Sequence, residues 1–66
     1  MKVIETRFEL KRAMKRAKLR RKDVANALDI TPQAVYKWLT GRSPLPRYAG
    51  LWFYYEHGIT KDTVKR

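Results

Sequence analysis

LRRKDVANALDITPQAVYKWLTG, residues 19–41, holds two short amphipathic segments separated at Asp29-Ile30-Thr31. In the first segment Val24, Ala25 and Leu28 recur at i, i+1 and i+4, and in the second Val35, Trp38 and Leu39 recur at i, i+3 and i+4. Both spacings describe one face of a helix, so two apolar stripes are set to meet. The break between them is punctuated. Asp29 stands where a helix must end and an αL-tolerant residue is wanted, Ile30 is an apolar plug, and Thr31-Pro32 pairs an N-cap residue with proline at the first helical position. Leu39-Thr40-Gly41 closes the second helix, with Gly41 supplying the positive φ that helix ends favour. The stretch predicts a helix-turn-helix whose second helix covers 32–39.

Upstream, Thr6-Arg7-Phe8-Glu9 has the form of a capping box and starts a helix predicted to run to Lys18, with Leu10, Ala13, Met14 and Ala17 on one face. Ile4 and Phe8 lie off that stripe. They either pack the amino-terminal segment or contact another subunit. Downstream, Arg42-Ser43-Pro44-Leu45-Pro46 reads as a loop, because its prolines remove donors and bias their predecessors to extended angles. A further helix is predicted from near Pro46 to His57, ended by Gly58 with Ile59 as the accompanying apolar contact.

That helix carries Tyr48, Leu51, Trp52 and Tyr55 on one side and Ala49, Gly50 and Phe53 on the other, and a helix apolar on two faces needs two neighbours. Phe53, beside small Ala49 and Gly50, is the expected dimer patch. The competing reading has Phe53 covering residues 60–66, folded as a short capped helix that begins at Thr60.

The chain has 66 residues, the length of one domain spanning 1–66, a size at which a hydrophobic core alone stabilises a fold only marginally. It has no cysteine, so neither a disulfide nor a thiolate metal site reinforces the core, and oligomerisation is the remaining common route. Sixteen Lys and Arg face six Asp and Glu, for a formal net charge of +10. The excess is concentrated early: Lys2, Arg7, Lys11, Arg12, Lys15, Arg16, Lys18, Arg20, Arg21 and Lys22 are opposed only by Glu5 and Glu9. This is the composition of a polyanion binder. No apolar run is long enough to span a membrane, and the start MKVIETRFELKR lacks a signal peptide's apolar region, so the expected location is the cytoplasm.

Catalysis has little to build on. The acids Glu5, Glu9, Asp23, Asp29, Glu56 and Asp62 show no dyad or ligand spacing, and the single histidine, His57, falls in a last helical turn where it suits the helix dipole. No catalytic residue, metal, cofactor or small-molecule ligand is expected. A basic amphipathic helix at a membrane is a rival, since Lys11, Lys15 and Lys18 flank Leu10, Met14 and Ala17, but such a peptide has no need of the Thr31-Pro32 turn or a second aromatic helix. RNA recognition would favour aromatic platforms on a sheet, and no strand alternation is present.

Over roughly Leu10 to Ile59, and most strongly over Leu19 to Gly41, the chain resembles the Cro/cI-type (Xre-like) helix-turn-helix repressors. Leu19, Val24, Ala25, Leu28, Val35 and Trp38 carry the likeness, and the short all-helical phage Cro proteins look closest. The sequence departs from the pattern at Arg20, where Ser or Thr is usual, at Arg21, where relatives have a bracing Gln, and at Asp29, where Gly is common. The resemblance implies a compact all-α, four- to five-helix, lambda-repressor-like domain that binds double-stranded DNA as a homodimer on a pseudo-palindromic operator and represses transcription. An antitoxin or restriction-control regulator built on the same domain is the alternative.

In this motif the second helix enters the major groove and residues near its amino end reach base edges. The expected base contacts are Gln33, whose amide matches adenine N6 and N7; Lys37, toward guanine O6 or N7 or a phosphate; and Tyr36, toward a thymine methyl or the backbone wall. Thr31 contributes a hydroxyl and Pro32 van der Waals contact. Arg21 and Lys22 at the start of the first paired helix, and Thr40, Arg42 and Arg47 after the second, are the expected phosphate contacts, with Lys15, Arg16 and Lys18 raising the local potential.

Overall fold

Thr6 opens the first helix, α1 (Arg7–Ala17), with the predicted capping box: its Oγ1 accepts from the Glu9 N–H at 3.1 Å, and Glu9 Oε1 accepts from the Thr6 N–H at 3.1 Å. The helix ends one residue earlier than predicted, because Lys18 takes the left-handed conformation at φ 58° and the Leu19 N–H donates back to the Met14 carbonyl at 2.8 Å. Lysine is an uncommon residue there, and nothing in the local pattern marks it. The structure is a computed structural model that describes residues 2–64. The remaining elements are α2 (Arg21–Leu28), α3 (Pro32–Thr40), α4 (Arg47–His57) and α5 (Lys61–Val64), with no strand among the described residues.

The turn between α2 and α3 follows the sequence reading. Asp29 adopts φ 58°, and the Ile30 N–H donates to the Ala25 carbonyl at 2.9 Å, which satisfies one of the carbonyls that a helix end leaves open. Thr31 Oγ1 accepts from the Ala34 N–H at 3.3 Å, Pro32 occupies the first turn, and α3 ends at Thr40, one residue beyond the predicted Leu39, with Gly41 as its cap at φ 81°. Helix α4 ends as predicted: Gly58 is left-handed at φ 64°, and the Ile59 N–H donates to the Phe53 carbonyl at 3.1 Å.

One cluster gathers the core from all five helices: Leu10, Ala13 and Met14 of α1, Val24 and Ala25 of α2, Val35 and Trp38 of α3, Ala49 and Phe53 of α4 and Val64 of α5. Ile4 and Ile59 join it from the connecting segments. Of the two off-stripe residues, Ile4 is buried while Phe8 stays exposed, its ring 4.9 Å beneath the Arg7 guanidinium.

The dimer patch read from the sequence is corrected here. Phe53 and Ala49 are both 0% exposed and Gly50 is buried, so none of the three offers a surface to a second copy. The amino-terminal segment is what covers Gly50: a Cβ at that position would lie 2.6 Å from the Ile4 carbonyl oxygen and 3.0 Å from a Val3 methyl. Glycine is used there because another stretch of backbone crosses the helix. The second neighbour that α4 needed is thus supplied within the chain, and the short final helix foreseen as the competing reading forms from Lys61 to Val64. Residues 65–66 of that reading lie outside the described residues.

Helix α5 and the amino-terminal segment are clasped through Glu9. Its carboxylate accepts from the Glu5 N–H at 2.8 Å and from Lys61 Nζ at 3.1 and 3.0 Å, while Lys61 also reaches Glu5 at 3.2 Å and its N–H donates to the Lys2 carbonyl at 3.0 Å. Burial alone would raise the Glu9 pKa, but the hydrogen bonds from the Glu5 N–H, the Lys61 ammonium and the Thr6 N–H outweigh it and hold the carboxyl below its ordinary range. The hydrogen bonds to Glu9 and then Glu5 move Lys61 the other way, above the usual lysine value.

Candidate nucleic-acid interface

Helices α2 and α3 are the most closely packed pair in the fold, and they meet through fully buried Val24, Ala25 and Val35. Alanine at position 25 lets the two axes approach, while Trp38, edge-on to Tyr48 of α4 at 6.3 Å, holds the far end of α3. With these residues committed to the interior, Thr31, Pro32, Gln33, Tyr36, Lys37 and Thr40 all remain exposed along the outside of α3. The five α3 residues picked from the sequence therefore share one accessible side, with the N-cap Thr31 exposed at its start.

The cations are placed at both ends of that side. Arg21 and Lys22 begin α2 and border a shallow groove with Arg20 and Pro32, so the starts of α2 and α3 lie next to each other. Arg42 follows the end of α3, and Arg47 opens α4. All four are exposed, and among the described residues no carboxylate lies within ion-pair distance of any of them or of Lys37. Their charge is available to a polyanion.

Arg20 behaves differently from its neighbours. Lacking an acceptor, its side chain cannot cap α2 as Ser or Thr would. Asp23 takes over part of the task, its Oδ2 accepting from the Arg20 N–H at 2.9 Å with Arg20 Nε at 3.9 Å. Arg21, in the place of the bracing Gln, lies with its guanidinium carbon 5.3 Å from the centre of the Tyr36 ring.

Two hydroxyls on α3 are set up differently. Thr31 Oγ1 acts as acceptor for the helix start, which leaves its proton free for an anion. Thr40 Oγ1 instead donates back to the Tyr36 and Lys37 carbonyls at 3.1 and 3.3 Å. A phosphate oxygen needs a donor, so the Thr40 hydroxyl as placed is not available as the phosphate contact expected of it.

The sequence reading missed Arg7. Its Nη1 donates to the Thr40 carbonyl at 3.0 Å across 33 positions, fastening the amino end of α1 to the carboxyl end of α3 and adding a cation where the helix dipole favours one. Only the general surplus of basic residues hinted at it. His57 ends α4 with its ring 5.1 Å from that of Trp52, in keeping with a structural place in the last turn. No group of three or more His, Asp or Glu side chains suited to a metal ion occurs among the described residues. No helix there is long and apolar enough to cross a membrane.

Comparison with known proteins agrees with this geometry. A search of curated proteins and a search of solved structures each returned no match. A family model described as a helix-turn-helix domain matches residues 7–51, from the first residue of α1 into the middle of α4. That span contains every contact that holds α2 against α3 and takes in well over half of the sequence, and on this ground the chain belongs to the helix-turn-helix domain family.

Proposed function

We propose that the protein is a sequence-specific regulator of transcription that binds double-stranded DNA with α3 in the major groove and acts as a Cro-like repressor. The observation that carries this reading is the division of α3: Val35 and Trp38 face the core while Gln33, Tyr36 and Lys37 stand exposed between unpaired cations at either end. Gln33 reads adenine through its amide, Lys37 reads guanine or a phosphate, and Tyr36 meets a thymine methyl. Thr31 and Pro32 line the entrance, and Arg21, Lys22, Arg42 and Arg47 grip the backbone. About six phosphates engaged per bound copy give a slope of log K on log salt near −5.

One such unit reads only a few base pairs. Two copies with their α3 helices about 34 Å apart read a pseudo-palindrome in successive major grooves, and occupancy of an operator overlapping a promoter blocks polymerase. With Ala49, Gly50 and Phe53 inside the fold, the copies meet elsewhere. The outer side of α4, where Tyr48 and Tyr55 are exposed and no charge interrupts residues 48–55, is where two chains of +10 repel least. The protein works as a single-domain cytoplasmic binder without cofactor, not as a catalyst.

Selection of bound sites from random duplex DNA tests the proposal. Enrichment of an inverted repeat supports a repressor-like dimeric mode, and a single half-site supports DNA reading by one copy. No enrichment over competitor DNA, or equal binding to anionic vesicles at physiological salt, overturns sequence-specific recognition.

A further inference from the structure

The two arginines that begin the reading unit are turned to different tasks. Arg20, the cap of α2, reaches toward Asp23 in the first turn at 3.9 Å, whereas Arg21 crosses to α3 and lies over the ring of Tyr36 with its guanidinium carbon 5.3 Å from the ring centre. Tyr36 is 38% exposed and has its hydroxyl in no hydrogen bond among the described residues. A ring so placed on a helix surface has rotamer freedom unless something rests on it. The guanidinium is what rests on it.

We propose that Arg21 is a specificity-determining positioning residue: lying over Tyr36, it holds the ring at one angle so that the ring reads the methyl group of a thymine in duplex DNA. The inference rests on the DNA-binding reading above and deepens it. A guanidinium carries five N–H donors around its planar edge, and the ring beneath it takes none of them fully, so donors remain for a phosphate. One side chain thereby links backbone register to base choice. When the phosphate engages Arg21, the ring is pressed into place, and a duplex that sits out of register loses both contacts together. Lysine carries the same charge as a compact ammonium without a plane, so it serves the phosphate and releases the ring.

The test measures binding of the full chain to its selected duplex, to the same duplex with thymine replaced by deoxyuridine at each position in turn, and to random duplex. Wild-type protein is expected to lose affinity by about two- to fivefold at one thymine, the scale of one exposed aromatic or cation–π contact. Arg21→Lys is expected to abolish that one penalty, and any weakening of the phosphate contact shows equally on selected and random duplex. Tyr36→Phe keeps the ring and the penalty. Tyr36→Ala removes the penalty, and Arg21→Lys then adds nothing to it. If Arg21→Lys keeps the deoxyuridine penalty, the positioning role is overturned while the DNA-binding reading stands. If wild-type protein shows no preference for any duplex, the DNA-binding reading fails and this assignment with it.

Discussion

The outer side of α2 and α3 and the clasp formed by the amino-terminal segment, α1 and α5 use charge in opposite ways. In the clasp, Lys61 pairs with Glu5 at 3.2 Å and with Glu9 at 3.0 Å, and Glu9 serves a helix cap and an ion pair at once. On the α2–α3 side, Arg21, Lys22, Lys37, Arg42 and Arg47 face no carboxylate within ion-pair distance among the described residues. Paired charges consolidate a small fold, while unpaired ones repel each other and are stabilised only when a polyanion arrives. The contrast separates what holds the chain together from what it presents.

The sharpest way to break that separation is Phe53→Ala. A fully buried ring in a domain this small is worth about 3–5 kcal/mol, a large fraction of total stability, and denaturant unfolding of the variant is expected to show that loss independently of protein concentration. A variant that keeps its monomer stability and only dissociates in sedimentation would return Phe53 to an interface. Gly50→Ala is next. Its Cβ meets the Ile4 carbonyl, a backbone atom that cannot swing aside, and overpacking of this kind costs about 1–3 kcal/mol. The melting temperature is expected to fall while the fraction still folded binds duplex DNA as before.

On the other side of the comparison, Gln33→Ala is expected to cost about 1–3 kcal/mol on a selected site and to relax preference at one base pair, with no change in melting temperature. Arg42→Ala weakens all sequences alike and makes the salt slope shallower by about one. Equal losses from Gln33→Ala on selected and random duplex would remove Gln33 from base reading.

The smallest effect is electrostatic. The folded Glu9 pKa lies below 4.5, so its contribution to stability is present above that pH and is lost as pH falls through the folded value. The folded Lys61 pKa lies above 10.5, so its contribution is complete below that pH and is lost as pH rises through the folded value. Melting temperature is expected to be level between these limits and to drop outside them. Glu9→Gln keeps a capping oxygen but removes the charge, and it is expected to cost about 1 kcal/mol at neutral pH and to flatten the acid limb.

Much of the helix-turn-helix was legible because its signals are short-ranged. The Thr6 and Thr31 caps, the αL ends at Asp29, Gly41 and Gly58, and the stripes of α2 and α3 all depend on residues within a turn or two of one another. The exposed side of α3 followed from the same periodicity, since whatever does not face the core is left outside. The Lys18 ending was not legible, because a lysine at φ 58° is tolerated for the packing it permits and not for any preference of its own. The Arg21 contact with Tyr36 was half visible: the departure from the bracing Gln could be seen, but not the ring it would find.

The apolar pattern of α4 shows why periodicity stops short. Spacing alone established that two of its faces would be covered, since burying apolar surface is favourable whoever supplies the cover. It could not say that the cover is Val3 and Ile4, because a second copy of the chain satisfies the same pattern. The Arg7 bond to Thr40 spans 33 positions and the Lys61 pair with Glu9 spans 52, and each exists only because packing brought its ends together. Helix caps and helical repeat act locally and leave their mark on neighbouring letters. Contacts between distant segments depend on the angles at which helices settle, and those angles are the joint result of every buried side chain.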